Sequence, residues 1–328
     1  MPKKPKTKNQ KLITILGPTS SGKTALSVKL ALWLNSGQAK KRFGINGVEI
    51  VSADSRQVYK GMDIGTGKIT KKEMRGIPHY LLNVVSPKTR FTVAQYQKLA
   101  LAAIDKIFKK NKIPFIVGGS GFYIQAVVDN ILIPKVKPDW NLRKNLEKKP
   151  ISELYKMLVK LDPRRAKSID KNNPRRIIRA LEIVLRTKRP ILPFSQNKPN
   201  FEVLFLGVKK SKKELKKLIE KRLLKRLKQG MINEVKKLHN PPASAPLSAG
   251  IRRGKGLSWK RLEEFGLEYR FVAQYLQGEL KYDEMVNRLK KEIEHYAKRQ
   301  MTWFKRDKRI QWLKTPKQAE RLVREFLS

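Results

Sequence analysis

Gly17, Pro18, Thr19, Ser20, Ser21, Gly22, Lys23 and Thr24 form one unbroken run whose spacing suits a polyphosphate. Its two glycines let the backbone curl until successive N–H groups point inward, and Lys23 adds a full charge at the end of the loop. The Thr24 hydroxyl is placed to hold a magnesium ion beside the phosphates. Such a cradle serves two chemistries. In the first a phosphoryl group moves, as in a nucleotide or small-molecule kinase, and a second-strand acid steadies the metal. In the second a diphosphate leaves; the loop, Lys23, magnesium and arginines absorb its developing charge while a carboxylate takes a proton from the nucleophile. Asp54 can serve in either. It opens the run Asp54-Ser55-Arg56-Gln57, whose side chains suit gripping a polar substrate better than merely holding a metal. No adenine or guanine selectivity motif accompanies the loop, and the second chemistry also accounts for the basic charge described below.

These groups need a scaffold that brings distant loops together. The apolar run Leu12–Leu16 precedes the phosphate loop, and a helical pattern over 25–33 follows it. A second run, Gly47–Ser52, ends just before Asp54; a third, Ile113–Val117, ends in Gly118-Gly119-Ser120-Gly121; a fourth is Val203–Gly207. Between them, Val93–Lys109 places Val93, Tyr96, Leu99, Ala100, Ala103, Ile104 and Ile107 on one helical face. Strands alternating with helices predict an α/β fold, a parallel sheet with helices on both faces and its ligands beyond the carboxyl ends of the strands. The phosphate loop, Asp54 and the Gly118 loop all fall at that edge.

From about residue 129 to 200 the texture becomes helical, basic and proline-punctuated, which predicts a helical insertion domain. The expected organisation is a disordered basic arm over 1–10, a phosphate-loop core in two parts over 11–128 and 201–240, the insertion over 129–200, and a helical C-terminal region over 241–328. In the insertion, Pro174 suits a helix start, and Arg175, Arg176 and Arg179 share a face. Leu215, Leu218, Ile219, Leu223 and Leu227 make an apolar stripe over 212–230, leaving most of the lysines there as a solvated face. A proline-rich loop is expected over 240–246. Near the C-terminus, residues 296–306 interleave aromatic and basic side chains, and Trp303 and Phe304 suit either a core or a nucleic-acid face.

The chain has 328 residues, 40% of them hydrophobic, enough for one substantial core and an accessory region. Its 75 Lys and Arg against 27 Asp and Glu give a formal charge of +48. Self-repulsion on that scale points to a polyanionic partner, and nucleic acid is the natural one. Without cysteine there is no disulfide, thiolate zinc site or thiol nucleophile. The three histidines, His79, His239 and His295, are scattered, which argues for structural roles. No run of eighteen apolar residues exists, and the basic N-terminus lacks the apolar segment of a signal peptide. The expectation is a soluble cytoplasmic monomer that does not engage membranes.

Six blocks in order carry a specific resemblance: 17–24, Asp54–Tyr59, Asp63–Lys68, Val117–Tyr123, Asn173–Glu182 and Ala297–Phe304. Together they resemble the tRNA dimethylallyltransferase family, over nearly all of 11–312. The resemblance implies transfer of a dimethylallyl group from dimethylallyl diphosphate to N6 of adenine 37, in tRNAs reading codons that begin with U. It makes Asp54 the general base, Thr19 a catalytic residue that contacts the diphosphate and steadies the reacting centre, Lys23 and Thr24 the diphosphate and magnesium positions, and Arg222 the clamp on the leaving group. Ser55, Arg56 and Gln57 then hold the flipped adenine and its neighbours, with Asp54 also counted among the tRNA contacts. Ser120, Arg143, the segment Arg175, Arg176, Ile177, Ile178 and Arg179, and Lys298, Arg299, Gln300, Trp303 and Lys305 become tRNA contacts, and the insertion grips the anticodon stem-loop. The chain departs from the family pattern in three places: Ser120 stands for a threonine, His79-Tyr80 for a pair of histidines, and Glu268 for a glycine. Tyr269 and Arg270 stay aligned as candidates for the anticodon contact.

Overall fold

The structure is a computed structural model and describes residues 10–134, 136–191, 201–241 and 256–328. The four apolar runs are strands β1 (Gln10–Leu16), β2 (Val48–Ala53), β4 (Ile113–Gly118) and β5 (Phe201–Val208), joined by two short edge strands, β3 (His79–Tyr80) and β6 (Gln311–Leu313). All pairs are parallel, in the order β3-β2-β4-β1-β5-β6. The register sets Gly118 beside both Leu16 and Ala53, and Leu16 beside Gly207. The chain therefore leaves β1, β2, β4 and β5 at one edge of the sheet, where the phosphate loop, Asp54 and the Gly118 loop begin.

Alternation along β1 builds both layers. Ile13 and Ile15 pack with Leu30, Ala31 and Leu34 of the helix Lys23–Leu34 and with Ala319 and Val323 of the helix Pro316–Leu327. Leu12 and Leu16 pack on the other face with Tyr96, Ala100, Ile104 and Ile107 of the helix Val93–Lys109. Thr92 and Gln95 close a capping box at the start of that helix, so its ends match the pattern read from the sequence. Leu99 does not join the core; it lies at the margin of the stripe and is 40% exposed. A third core gathers the helices Lys212–Lys228, Met231–His239, Trp259–Glu264, Leu267–Leu276 and Tyr282–Phe304 around Val58, Tyr59 and Met62. It fixes the segment that follows Asp54. Phe304 is a core residue.

The chain divides into two compact units, 1–128 with 199–328, and Asp129–Lys198. Within the second, the helices Trp140–Glu147, Ile151–Leu161, Pro163–Ser168 and Pro174–Thr187 close over Leu154, Leu158, Ile177, Ile178 and Leu181. Asn173 caps the last helix and Pro174 opens it. Residues 1–9 of the expected basic arm, 192–200 and 242–255, with most of the proline-rich loop, lie outside the described residues; Gln10 begins β1. Among the described residues no helix is long and apolar enough to cross a membrane.

One buried acid fastens the sheet edge. Glu49 of β2 is 1% exposed and accepts hydrogen bonds from Lys112 at 2.7 Å, Lys110 at 3.0 Å and the Tyr80 hydroxyl at 2.7 Å. Burial alone pushes its carboxyl up, but the bonds from Lys112, Tyr80 and Lys110 outweigh it and hold the pKa at about 2. Because the folded pKa lies below the unfolded one, Glu49 stabilises the protein above about pH 4.5, and this contribution fades as pH falls towards 2. Glu49→Gln should cost on the order of 3 kcal/mol at pH 7. It should also flatten the acid limb of stability, checked by urea unfolding from pH 7 to 3; an unchanged midpoint at pH 7 would remove Glu49 from this role.

Candidate active site

Gly17 turns out of β1 directly against β5, where a Cβ would collide with the carbonyl oxygen of Val208. The loop then wraps to Gly22, which caps the helix Lys23–Leu34 and leaves the first N–H groups of that helix facing the loop. The Lys23 Nζ donates to the Pro18 carbonyl at 3.1 Å. Burial first, and then the nearby Arg222, bring its pKa down to about 8, with Asp54 opposing and Arg226 adding to the fall. Arg222 in turn is lowered to about 10 by burial and by Arg226, against the pull of Glu268 and Asp54. Cations crowded so that their charge is disfavoured form a receptor for an anion. Arg222 reaches the Thr19 hydroxyl at 3.3 Å and the Gly67 carbonyl at 3.4 Å, both long bonds and neither to an acid. Ser21 Oγ is buried without a hydrogen-bond partner among the described residues.

Asp54 follows the last residue of β2. Its Oδ1 accepts from the N–H groups of Arg56 at 2.8 Å and Gln57 at 3.3 Å, a turn that fixes the carboxylate, and its Oδ2 has no partner among the described residues. Ser120 Oγ accepts from the Ser55 N–H at 3.0 Å, tying the Asp54 turn to the Gly118 loop. Gln57 donates to the Gly67 carbonyl at 3.2 Å, and the Arg56 guanidinium lies 5.7 Å from the centre of the Phe265 ring.

Gln300 has a different place from the nucleic-acid contact expected of it. It is 7% exposed, accepts from the Thr19 N–H at 2.8 Å and donates to the Gly119 carbonyl at 2.8 Å. Its amide is the strut between the phosphate loop and the Gly118 loop. Trp303, from the same helix, fills the space beside Gly121, where a Cβ would collide with its indole, and meets Phe122 edge-on at 6.2 Å. Lys298, Arg299 and Lys305 of that region are exposed.

The loop 63–68 is held from both sides. Glu234 accepts from the N–H groups of Asp63, Ile64 and Gly65 at 2.8, 2.6 and 3.0 Å and from the Tyr269 hydroxyl at 2.7 Å. Lys68 is buried and donates to the Tyr59 carbonyl at 2.7 Å, Asp63 at 2.6 Å and Asn83 at 2.5 Å; burial lowers its pKa against the pull of Asp63. Tyr269 is thereby a core residue, 2% exposed, which removes it from the anticodon-contact candidates, whereas Arg270 is exposed. Sequence reasoning missed Glu234 and Arg226. For Glu234 the signal available was scarcity, since few acids stand among the lysines of this region, whereas Arg226 is one basic residue among many.

The remaining candidates lie in the second unit. Ile177 and Ile178 are core side chains there, 0% and 5% exposed, so neither is offered to a ligand. Arg143 binds the fully buried Glu182 with a fork of two bonds, at 2.8 and 2.6 Å, and Arg179 binds the same carboxylate. Arg175 and Arg176 are exposed. The histidines are structural: Nδ1 lies 2.8 Å from the Ile77 carbonyl in His79 and 2.8 Å from the Leu257 carbonyl in His239, and His295 pairs with Glu292. Among the described residues no group of three His, Cys, Asp or Glu side chains could hold a metal.

Residues 57–307 match the family model described as IPP transferase. The chain is 40% identical over 301 residues to tRNA dimethylallyltransferase 1 of Syntrophus aciditrophicus, covering 91% of this chain and 90% of that one. It is 38% identical over 325 residues to the tRNA dimethylallyltransferase of Carboxydothermus hydrogenoformans, covering 97% and 96%. Among solved structures, it is similar to the full-length tRNA isopentenylpyrophosphate transferase of Bacillus halodurans, with a TM-score of 0.65 and 32% identity over 98% of this chain and 97% of that one. A eukaryotic dimethylallyltransferase caught acting on tRNA aligns with a TM-score of 0.69 and 26% identity, over 90% of this chain and 69% of that one. With the phosphate loop, Asp54 and Arg222 gathered at one edge of a parallel sheet, and with relatives matching along nearly its whole length, the chain belongs to the IPP transferase family of tRNA dimethylallyltransferases.

Proposed function

We propose that this enzyme transfers the dimethylallyl group of dimethylallyl diphosphate to N6 of adenine 37, in tRNAs that read codons beginning with U. The observation that carries the reading is one carboxylate, Asp54, with an oxygen that has no partner among the described residues, beside a half-buried cluster of cations around the phosphate loop. In the reaction the N6 lone pair forms a bond to C1 of the allylic group. The bond from C1 to the diphosphate oxygen breaks with its electron pair, and the N6 proton passes to Asp54. Lys23, the loop N–H groups and Arg222 take up the charge that grows on the leaving diphosphate. Thr19, fixed by Gln300 and touched by Arg222, keeps the diphosphate end in register with the base. An amine attacking an allylic carbon needs no covalent enzyme intermediate, which suits a chain without cysteine. A kinase shares the loop but gives no use to Asp54 as a base or to the basic helical unit, and no kinase stands among the relatives described above.

Magnesium fits the donor set. It is usually bound by one or two protein oxygens together with substrate phosphates rather than by a cage of acids, and the Thr24 hydroxyl is exposed at the mouth of the loop, with Asp54 near Lys23. Bound there, it would neutralise part of the diphosphate charge.

The acceptor is tRNA, gripped at the anticodon stem-loop. The target base leaves its stack to reach Asp54, with Ser55, Arg56 and Gln57 flanking it. Exposed Lys298, Arg299 and Lys305, and Arg175 and Arg176 of the helical unit, are the phosphate contacts in this reading. The protein works as a monomer in the cytoplasm.

Asp54→Asn keeps the turn acceptor and removes the base, so kcat should fall about 10²–10³-fold, with tRNA affinity unchanged. Single-turnover transfer and filter binding check this; near-normal turnover would refute the base assignment. Gln300→Leu leaves the Thr19 N–H and the Gly119 carbonyl unpaired and should raise the KM for dimethylallyl diphosphate about tenfold. An unchanged KM would show that the strut does not position the loop.

A further inference from the structure

The helix Lys212–Lys228 brings two arginines to the site one turn apart, and the chemistry above uses only Arg222. Arg226 is 7% exposed, and its Nη1 donates to Glu268 at 2.7 Å and to the Gly65 carbonyl at 3.1 Å. Both arginines press on Gly67, whose φ is +57°; a Cβ there would collide with the Nη2 atoms of Arg226 and Arg222 together. Two guanidiniums whose charges repel each other thus press on one face of the Gly65–Gly67 turn. The only acid bonded to either is Glu268, among the described residues, with its side chain 12% exposed. It lies beside Tyr269 on the helix Leu267–Leu276, and Tyr269 in turn donates to Glu234, which caps the same turn from its other end.

We propose that Arg226 and Glu268 form a positioning pair that sets the Gly65–Gly67 turn and, through it, the Arg222 guanidinium against the diphosphate. Arg226 Nη1 is engaged with Glu268 and the Gly65 carbonyl, and Nη2 lies against Gly67. A buried ion pair contributes little net stability, because desolvation offsets the attraction, while removal of one partner strands the other charge. Its effect here is geometric: with Glu268 in place, Arg226 tolerates Arg222 at the same glycine, and Arg222 keeps its long bonds to Gly67 and Thr19. This assignment rests on the diphosphate reading of the site.

The test uses the full chain with inorganic pyrophosphate in calorimetry, dimethylallyl diphosphate in steady-state kinetics and tRNA binding as the control. Arg226→Met, Arg226→Lys and Glu268→Gln should each raise the pyrophosphate Kd and the prenyl-diphosphate KM about tenfold with tRNA affinity unchanged, since a displaced clamp misplaces the ligand. The double variant Arg226→Met with Glu268→Gln strands no charge, so it should lose less than the product of the single losses; it also serves where a single variant fails to fold. Pyrophosphate Kd and KM within twofold of wild type in the single variants would overturn the pair, as would losses that multiply in the double. Wild-type protein that binds no pyrophosphate would overturn the diphosphate reading itself, and the pair with it.

Discussion

Repulsion among Lys23, Arg222 and Arg226 is the constraint that the rest of the site answers to. Burial strips water from Lys23 and Arg222, and the neighbouring positive charges disfavour theirs further, bringing Lys23 down to about 8 and Arg222 to about 10. A cluster of this kind holds together only if backbone and neighbouring acids leave it no other arrangement. The sheet supplies the first restraint: Gly118 lies level with Leu16 and Ala53, so the phosphate loop and Asp54 start from fixed points. The Gln300 amide and the Gly67 turn supply the second, joining Thr19 to Gly119 and Arg222 to Gln57. In the proposed reaction an incoming diphosphate would meet donors already oriented, leaving little reorganisation for the step in which charge develops on the leaving group.

The acids make the same point from the other side. In a chain of 75 basic and 27 acidic residues, a buried or half-buried carboxylate has many possible partners, and four such carboxylates fasten something here. Glu49 ties β2 to Lys110 and Lys112, Glu182 gathers Arg143 and Arg179 in the helical unit, Glu234 caps the loop 63–65, and Glu268 neutralises Arg226. Much of the remaining positive charge is solvent-facing, where it is free to meet a polyanion.

The parts legible in the sequence were those with local signatures. The phosphate loop, four buried strands and the helix Val93–Lys109 each carry a run or a period long enough to read. Strands β3 and β6 do not: two and three residues at sheet edges make no pattern, and pairing alone defines them. Contacts between distant segments were equally hidden. Nothing near Gln300 announces that its amide bridges two loops, and an Arg–Glu pair joining helices 42 residues apart in sequence leaves no local trace. Motif alignment assigned Ile177 and Ile178 to the tRNA-contacting run, but the hydrophobic period of the same helix required them inside. Where a family block and a burial pattern compete for a residue, the burial pattern decides what its side chain can touch.

One measurement bears most directly on the proposed transfer of a dimethylallyl group from its diphosphate to a tRNA base. Labelled dimethylallyl diphosphate, with magnesium, is offered an unmodified tRNA carrying adenine at position 37 and the same tRNA with guanine there. Label on the first and none on the second is the expected result, and it fixes reaction, acceptor and position together. Equal labelling of both would contradict the adenine site, and no label on either, with turnover of ATP instead, would return the phosphate loop to phosphoryl transfer.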